Sequence, residues 1–229
     1  MNTTGIGLMI TKALAQNGAK KIYILGRRRE KLEAAAKDHA VNGNIIPIEC
    51  DITTRESLSN AAKQIQEDVG YINLLVANAG IMGPKIRPPL DPATCSIDDF
   101  VEHAWETPMS EFTRTYEVNI TGVYYSVLAF LKLLDKGNKG QNKFREKVSS
   151  QVVAISSIAG HSRLKGASFA YNSSKAGLTH MMKQLSTWCG RWDIRCNVIS
   201  PGSMSSLGLS HRWMISIPIP NMDEEEEEW

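Results

Sequence analysis

The amino-acid sequence predicts an α/β fold, in which a doubly wound parallel sheet carries helices on both faces. Segments with helical periodicity alternate with short apolar runs along most of the chain, and this alternation is typical of parallel βαβ units. Short apolar strands also suit a sheet that is covered on both faces. At 229 residues, 42% of them hydrophobic, the chain is long enough for one domain with a sizeable core.

Each predicted element rests on a local pattern. The first helix follows from the helical spacing of Ile6, Ile10 and Leu14, and Asn17-Gly18 is a helix stop signal. Runs of apolar and β-branched residues mark the strands. The predicted strands span residues 21–26, 44–51, 73–77, 150–156 and 194–199, and further helices span residues 29–41, 57–69, 110–134 and 171–189.

Residues 81–112 interrupt this alternation. The prolines between Pro84 and Pro92 forbid a continuous helix at the start of the segment. We therefore predict a surface excursion, followed by a helix that begins near Ser110. Residues 135–147 are rich in Lys, Gly and Asn, which predicts a polar loop.

Composition argues against several classes of protein. No run approaches the roughly 18 consecutive apolar residues of a membrane helix, and no signal pattern opens the chain, so a cytoplasmic location is expected. The cysteines form no CxxC pair and the histidines no HExxH spacing, so we predict free thiols and no metal site. These residues are Cys50, Cys95, Cys189 and Cys196, and His39, His103, His161, His180 and His211.

Charge is distributed unevenly along the chain. There are 26 basic and 24 acidic residues, and six of the acidic ones form the run from Asp223 to Glu228. The remainder therefore has 26 basic against 18 acidic residues, a mildly basic balance that suits an anionic cofactor. Nucleic-acid binding is not predicted, because no concentrated basic stripe with exposed aromatics occurs.

The stretch from Ser156 to Lys175 carries the strongest chemical pattern. Tyr171 and Lys175 lie four positions apart, so on a helix they share one face. An ammonium beside a phenol favours the phenolate, and such a tyrosine can exchange a proton with a carbonyl or alcohol oxygen. A hydroxyl from Ser156-Ser157 could hold that oxygen. The alternative is a solvated lysine one turn from a packed tyrosine, because Tyr-x3-Lys alone occurs by chance on many helices.

Several loops are predicted at one edge of the sheet, where ligands of such sheets bind. The loops 26–29, Asp51-Ile52 and Asn78-Ala79-Gly80 each follow a predicted strand. Gly5-Ile6-Gly7 opens the first helix, and glycines in that position let a pyrophosphate approach the amino-terminal amides.

Together these residues resemble the short-chain dehydrogenase/reductase family from about Gly5 to Gly202. Each motif alone is weak, whereas the ordered set is specific. The resemblance implies a Rossmann-type domain over residues 1–202 and an NAD(P)-dependent oxidoreductase that interconverts a secondary alcohol and a ketone by hydride transfer. The matching motifs are Gly-Ile-Gly at 5–7, Asp-Ile at 51–52, Asn-Ala-Gly at 78–80, Asn119, Ser-Ser at 156–157, Tyr-x3-Lys at 171–175 and Pro-Gly at 201–202.

The resemblance also implies catalytic roles. Tyr171 would be the general acid/base, and Lys175 would favour its phenolate and hydrogen-bond the nicotinamide ribose. Ser157 would orient the substrate oxygen, although it precedes Tyr171 by one residue more than is usual in the family; Ser156 is the lesser candidate. Asn119 would hold a water molecule that links Lys175 to solvent. The alternative for Asn119 is a core asparagine that kinks its helix.

The strand that ends at Gly26 bears on the choice of cofactor. In the family, an acidic residue there would bind the adenosine ribose of NAD, whereas this chain has Arg27 and Arg28. Guanidinium groups bind phosphate bidentately, so NADP is predicted over NAD. The alternative is a basic helix start with a solvated face.

Further residues are implied to touch the cofactor. Asp51 and Ile52 would flank the adenine, Pro201-Gly202 would border the nicotinamide, and Ser206 would hold its carboxamide. The full cofactor set is Gly5, Ile6, Gly7, Arg27, Arg28, Asp51, Ile52, Asn78, Ala79, Gly80, Tyr171, Lys175, Pro201, Gly202 and Ser206.

Both ends depart from the family pattern. Met1 falls where the family has its first glycine, so the usual first strand is expected to be lacking. That strand is normally central, between the strands ending at Gly26 and Asn78, and its loss would leave facing backbone groups unpaired. Residues 203–229 lack the family's periodicity. We therefore expect the last strand to be lacking as well, and predict an atypical carboxy-terminal segment with a disordered acidic tail.

Two functional hypotheses remain. One is an NADP-dependent oxidoreductase acting on a small-molecule alcohol or ketone. The other is a truncated, non-catalytic relative, either a fragment or an interaction module, with weak or no activity. The helices at 110–134 and 171–189 resemble those that pair subunits in this family, which implies a homodimer or homotetramer; ordinary packing on the sheet is the alternative.

Overall fold

The computed structural model describes residues 5–84, 91, 93–143, 148–163 and 168–202. Parallel strands and helices alternate through them, as predicted. Ser206 and the predicted acidic tail lie outside the described residues, and the proposed domain boundary at residue 202 stays a prediction. No helix within the described ranges is long and apolar enough to cross a membrane.

The elements follow in the order helix, strand, helix, strand from the first described residue. The strands are β1 (Ile22–Gly26), β2 (Ile45–Glu49), β3 (Leu74–Ala77), β4 (Gln151–Ile155) and β5 (Arg195–Ile199). The helices are α1 (Ile6–Gln16), α2 (Arg29–His39), α3 (Arg55–Asp68), α4 (Ile97–Trp105), α5 (Met109–Tyr116), α6 (Gly122–Gly137) and α7 (Phe169–Cys189), and a π-helical turn (Glu117–Thr121) joins α5 to α6.

The strands form two parallel groups rather than one continuous sheet. β1 pairs with β2, and β4 pairs with both β3 and β5. Over the described ranges, no strand pairs with the other edge of β1 or of β3. This is the arrangement expected when the strand between those ending at Gly26 and Asn78 is lacking, and the predicted α/β fold class is confirmed.

Two hydrophobic clusters hold the groups together. The first, between α6, α7 and the group of β3, β4 and β5, includes Val127, Leu134, Val152, Leu178 and Met182. The second lies between α3, α6 and β2 and includes Ile48, Leu58, Ile65, Phe130 and Leu133. Leu25 of β1 packs on the second cluster, and Leu75 of β3 packs on both. Burial of such side chains stabilises the fold by about 1.5–3 kcal/mol each.

One helix was missed by the sequence prediction. Residues 97–105 form α4, whereas an irregular excursion was predicted up to Ser110. Ser96 Oγ accepts a hydrogen bond from the Asp99 N–H at 3.1 Å, and the Asp99 carboxylate accepts one from the Ser96 N–H at 3.3 Å. This reciprocal capping box corresponds to the sequence pattern Ser-x-x-Asp. The helix that it starts lies after Pro92, so the prolines do not interrupt it. The excursion is therefore shorter than predicted.

Replacing Gly137 by alanine is expected to lower the free energy of unfolding by about 2–3 kcal/mol. A Cβ at this position would lie 2.1 Å from the Ile72 carbonyl oxygen and 2.7 Å from Ser150 Oγ, so the end of α6 would have to move. Urea denaturation measures the change. The matched control is Gly190→Ala, where no atom lies within 4 Å of the added carbon. Equal stability of the two variants would contradict the close packing at Gly137.

Candidate active site

α7 brings Tyr171 and Lys175 together on one face. Ser168 Oγ accepts a hydrogen bond from the Tyr171 N–H at 3.0 Å, which starts the helix, and donates one to the Met82 carbonyl at 2.9 Å. The same hydroxyl therefore ties the beginning of α7 to the loop after β3. Lys175 Nζ lies 5.8 Å from the centre of the Tyr171 ring, so the predicted pair is adjacent in space.

The Lys175 side chain is buried beneath the tyrosine. It is 4% exposed, and its Nζ donates a hydrogen bond to the Ile155 carbonyl at 2.7 Å. No ion pair of Lys175 occurs in the described part of the chain. Removal of the ammonium from water lowers the pKa of Lys175 to about 8. The lysine can therefore change its charge close to physiological pH.

Asn119 holds the loop after β3 against α7. It lies in the π-helical turn, and its side-chain amide pairs with both backbone groups of Ile81: Oδ1 accepts from the N–H at 2.8 Å, and Nδ2 donates to the carbonyl at 3.0 Å. Nδ2 also donates to Ser174 Oγ at 2.9 Å. A π-helical turn is an irregularity often found at functional sites. The buried position and the local irregularity of the alternative interpretation are therefore present, while the predicted water-holding role remains a prediction.

Gly80 lies where this loop meets Asn119 and Lys175. A Cβ at Gly80 would stand 3.2 Å from both Asn119 Oδ1 and Lys175 Nζ. A larger residue would displace one of the two polar groups, so glycine permits the close approach. The predicted Asn78-Ala79-Gly80 motif and the predicted residues Asn119 and Lys175 thus meet at one point.

The two serines after β4 have different surroundings. Ser156 is buried, and its Oγ donates to the Lys175 carbonyl at 2.9 Å and lies 2.9 Å from Thr179 Oγ1. Its hydroxyl therefore serves the packing of β4 on α7. Ser157 is half-buried, and its Oγ accepts from the Ala159 N–H at 3.1 Å. Ser157 is thus the more accessible of the two serines, and its role at the substrate oxygen stays a prediction.

The amino terminus of α1 is shaped by glycines. Gly5 precedes the helix with φ 94° and gives no side-chain cap to its first amides. A Cβ at Gly7 would lie 2.6 Å from Asn78 Nδ2, so this glycine allows α1 to start directly against the loop after β3. Ile6 is half-buried between them. The first turn contains no acidic residue, and the positive end of the helix dipole therefore suits an anion.

Basic side chains follow β1, and an acidic side chain follows β2. Arg27 and Arg28 are exposed directly after Gly26. Asp51 follows β2, and its carboxylate accepts hydrogen bonds from the Thr53 N–H at 2.9 Å and hydroxyl at 2.8 Å. Although burial opposes ionisation, these bonds and the nearby guanidinium charges, including that of Arg27, hold the pKa of Asp51 below its ordinary value.

The remaining predicted residues border the same edge. Ile52 lies against the start of α6, because a Cβ at Gly122 would stand 2.8 Å from its Cδ1. The Pro201 carbonyl accepts a hydrogen bond from the Ile158 N–H at 3.0 Å, which places Pro201-Gly202 beside the turn that begins at Ser157. Ser206 is the one predicted site residue outside the described residues.

Sequence reasoning overlooked two polar residues that support the site. Ser168 had a readable signal, since a serine three residues before Tyr171 is an amino-terminal cap pattern. Ser174 had none. Its hydroxyl accepts a hydrogen bond from the Asn119 side-chain amide and donates one to the Tyr171 carbonyl at 2.8 Å. The bond to Asn119 forms only because the π-helical turn packs against α7.

Comparison with known proteins agrees with this geometry. The family model for short chain dehydrogenase matches residues 2–212. The chain is 45% identical over 200 residues to the short-chain dehydrogenase/reductase PhomF of Diaporthe leptostromiformis, and the match covers 87% of this chain and 66% of the relative. With VdtF of Byssochlamys spectabilis it is 43% identical over 215 residues, covering 87% and 70% respectively.

Solved structures show the same fold. The Pseudomonas aeruginosa RhlG/NADP active-site complex superposes with a TM-score of 0.73 at 25% identity, over 89% of this chain and 70% of that one. A short-chain type dehydrogenase/reductase from Mycobacterium marinum gives 0.71 at 26% identity, over 87% and 71%. The chain spans about two thirds of the length of the curated relative PhomF. From its motifs, its fold and these matches, the chain belongs to the short-chain dehydrogenase/reductase family.

Proposed function

We propose that this chain carries NADP-dependent oxidoreductase chemistry, the interconversion of a secondary alcohol and a ketone. The observation that supports it best is the pair on α7: a tyrosine whose ring centre lies 5.8 Å from the Nζ of a buried lysine. Tyr171 would give a proton to the substrate oxygen from its hydroxyl, or take one from it as a phenolate, with the positive charge of Lys175 beside it. Ser157 holds that oxygen in place.

The residues present fit an anionic dinucleotide. The uncapped start of α1 suits a pyrophosphate, Gly80 leaves room beside Lys175, and Arg27 and Arg28 suit a ribose phosphate. When bound, NADP would supply or accept the hydride. The Pseudomonas aeruginosa relative was solved as an NADP complex, which supports NADP for this chain. Gly5, Gly7, Asp51, Ile52, Asn78, Ala79, Pro201 and Gly202 would complete the contacts.

Within this proposal, Lys175 depends on its neighbours to act. The hydrogen bond to the Ile155 carbonyl fixes Nζ beneath Tyr171. Asn119 fixes the loop that covers it, and would hold the water through which the lysine exchanges protons with solvent. Because the pKa of Lys175 is lowered to about 8, the lysine can lose and regain a proton during turnover near neutral pH.

A cavity of about 630 Å³ lies beside the loop that contacts the start of α7. Its volume is in the range of small-molecule sites. We place the body of the substrate there. The lining residues include Met82, Gly83, His103, Glu106 and Glu111.

The second candidate function is that of a non-catalytic relative. The division of the strands into two groups favours it, because unpaired buried backbone groups each cost about 1–3 kcal/mol. Turnover by the chain of 229 residues is accordingly expected to be weak. Cofactor binding separates the candidates, since a fold that cannot hold the dinucleotide cannot catalyse hydride transfer.

Assembly into a homodimer or homotetramer is also proposed. Apolar side chains are exposed on the outer faces of α6 and α7, among them Tyr124, Leu128 and Trp188. Exposed aromatic and aliphatic side chains on neighbouring helices are typical of subunit contacts.

The double variant Arg27→Ala, Arg28→Ala is expected to weaken NADPH binding by at least about tenfold and to change NADH binding by less than about threefold. The guanidinium groups would bind the extra phosphate, which NADH lacks. Fluorescence titration with both nucleotides measures this, and Arg191→Ala, at the far end of α7, is the control. Equal losses for both nucleotides would refute the phosphate contact, and no binding of either nucleotide to the unmodified chain would refute the proposed function.

A further inference from the structure

Two cysteines meet where β5 packs against the end of α7. Cys189 is the last residue of α7 and is 1% exposed, whereas Cys196 is half-buried in β5. Ile194, Cys196 and Val198 alternate along the strand, so their side chains lie on one face of it. All three belong to or pack against the hydrophobic cluster that contains Cys189. The strand therefore directs the Cys196 thiol toward α7.

Hydrogen bonds hold the turn between the two cysteines in place. The Ile194 N–H donates to the Cys189 carbonyl at 3.2 Å. Asp193 comes just before it with φ 55°, and the Asp193 carbonyl accepts a hydrogen bond from Asn138 Nδ2 at 2.8 Å. These bonds fix the start of β5 against the end of α7. The position of one cysteine relative to the other is therefore set by the packed turn.

The structure holds both residues as free thiols, and the Cys196 thiol donates a hydrogen bond to the Cys189 sulfur. Burial raises the pKa of both thiols, that of Cys196 to about 12. Both are therefore protonated at neutral pH, and no negative charge keeps the two sulfur atoms apart. Because the sulfur atoms are already neighbours, a bond between them requires the loss of their hydrogens and a short approach.

We propose that Cys189 and Cys196 are a redox pair that forms a reversible disulfide by exchange with a small disulfide such as oxidised glutathione. The half-buried Cys196 is the sulfur that the small disulfide reaches first. Its thiolate attacks one glutathione sulfur, so a mixed disulfide forms and the S–S bond of the glutathione breaks. Cys189 then attacks the Cys196 sulfur, which completes the protein disulfide and releases the second glutathione. The cysteines are oxidised, the glutathione is reduced, and both protons pass to the released thiolates.

The bridge joins two elements that reach the candidate active site. α7 carries Tyr171 and Lys175, and β5 leads into Pro201-Gly202. A disulfide at the far end of α7 would hold this helix on the strand without touching the site itself. Exchange requires a thiolate, and the raised pKa of Cys196 makes the thiolate scarce at neutral pH. The pair therefore responds to sustained oxidation and is little affected by a brief exposure.

The test equilibrates the complete chain with mixtures of reduced and oxidised glutathione until the products no longer change. Remaining thiols are then alkylated, and the chain is digested with trypsin for mass spectrometry. Trypsin cleaves after Arg191 and Arg195, so the two cysteines fall in separate peptides unless a disulfide joins them. We expect joined peptides, with an equilibrium constant for the disulfide at least about tenfold higher in the folded chain than in the chain unfolded in urea. The unfolded reference is needed because cysteines close in sequence can form a disulfide in a flexible chain.

Two controls make the result specific. In the variant Cys189→Ala, Cys196 has no second sulfur beside it and should keep one bound glutathione. Cys95, which lies before α4, should likewise stop at the mixed disulfide in the unmodified chain. A folded-state equilibrium constant equal to or below that of the unfolded chain would overturn the proposal, because the packed turn would then oppose the bridge. A glutathione that stays on Cys196 in the unmodified chain, a bridge to Cys50 or Cys95 instead, or no modification of the folded chain would overturn it equally.

Discussion

Tyr171→Phe is expected to lower kcat by about 10²–10⁴-fold, with little change in NADPH affinity. Phenylalanine keeps the ring and its position on α7 and removes only the hydroxyl that would exchange a proton with the substrate oxygen. The ring centre lies 5.8 Å from Lys175 Nζ in the unmodified chain; phenylalanine keeps that ring, so the fold should be preserved. The measurement is NADPH oxidation with a panel of ketones, alongside a fluorescence titration of NADPH.

Tyr124→Phe is the matched control for this experiment. Tyr124 is an exposed tyrosine on α6, and loss of its hydroxyl should leave kcat within about twofold of the unmodified chain. Retention of more than a third of the activity in Tyr171→Phe would exclude the tyrosine as general acid/base. A parallel loss of NADPH affinity would instead assign the hydroxyl to cofactor binding.

Raising the pH from 8 to 10.5 is expected to stabilise the chain by about 3 kcal/mol relative to a Lys175→Met variant. The pKa of Lys175 is lowered to about 8 in the folded chain from 10.5. Between these values the unfolded chain binds the proton and the folded chain does not, so raising the pH favours the folded state. The pKa is lowered because burial removes the charged ammonium from water, whereas the neutral amine has no such desolvation penalty.

Urea denaturation at several pH values, on both proteins, measures this difference. Titration of tyrosines and cysteines contributes equally to the two proteins and cancels in the subtraction. At pH 7 the variant should be the more stable, because methionine fills the site without a charge. If the difference in the free energy of unfolding between the two proteins does not change from pH 8 to 10.5, Lys175 titrates as an exposed lysine. The proposed role of its charge in catalysis would then lose its physical basis.

The alternation of strands and helices was predictable because each element is short and carries its own periodicity. β1 and β3 end at the predicted residues, since Gly26 and Asn78 terminate apolar runs, and each begins one residue later than predicted. α4 was missed because the prolines before it dominated the interpretation, although Ser96 and Asp99 carried the capping signal. The division of the strands into two groups could be expected because Met1 falls at the place of the family's first glycine, which left the family's central strand unmatched.

The site was less predictable than the fold. Tyr171 and Lys175 could be paired from spacing alone, because a helix fixes their separation. The burial of Lys175 could not be inferred, since it depends on the Ile155 carbonyl and on Gly80 packing above it. Ser174 shows the same limit: nothing in the sequence near it indicates a contact with Asn119, and the contact exists only after two helices have packed.

The π-helical turn at Glu117–Thr121 has a geometric consequence for the whole segment from α5 to α6. One additional residue in a turn rotates every later side chain by about 100° around the helix axis. α5 packs on α7, whereas α6 packs on α3 and β3. A single continuous helix over residues 110–134, as predicted from the sequence, would lack this rotation between the part that packs on α7 alone and the part that packs on α3 and β3 as well. The extra residue of the turn offsets the apolar stripe of α6 from that of α5 around the helix axis, and Asn119 lies in the turn where this offset arises.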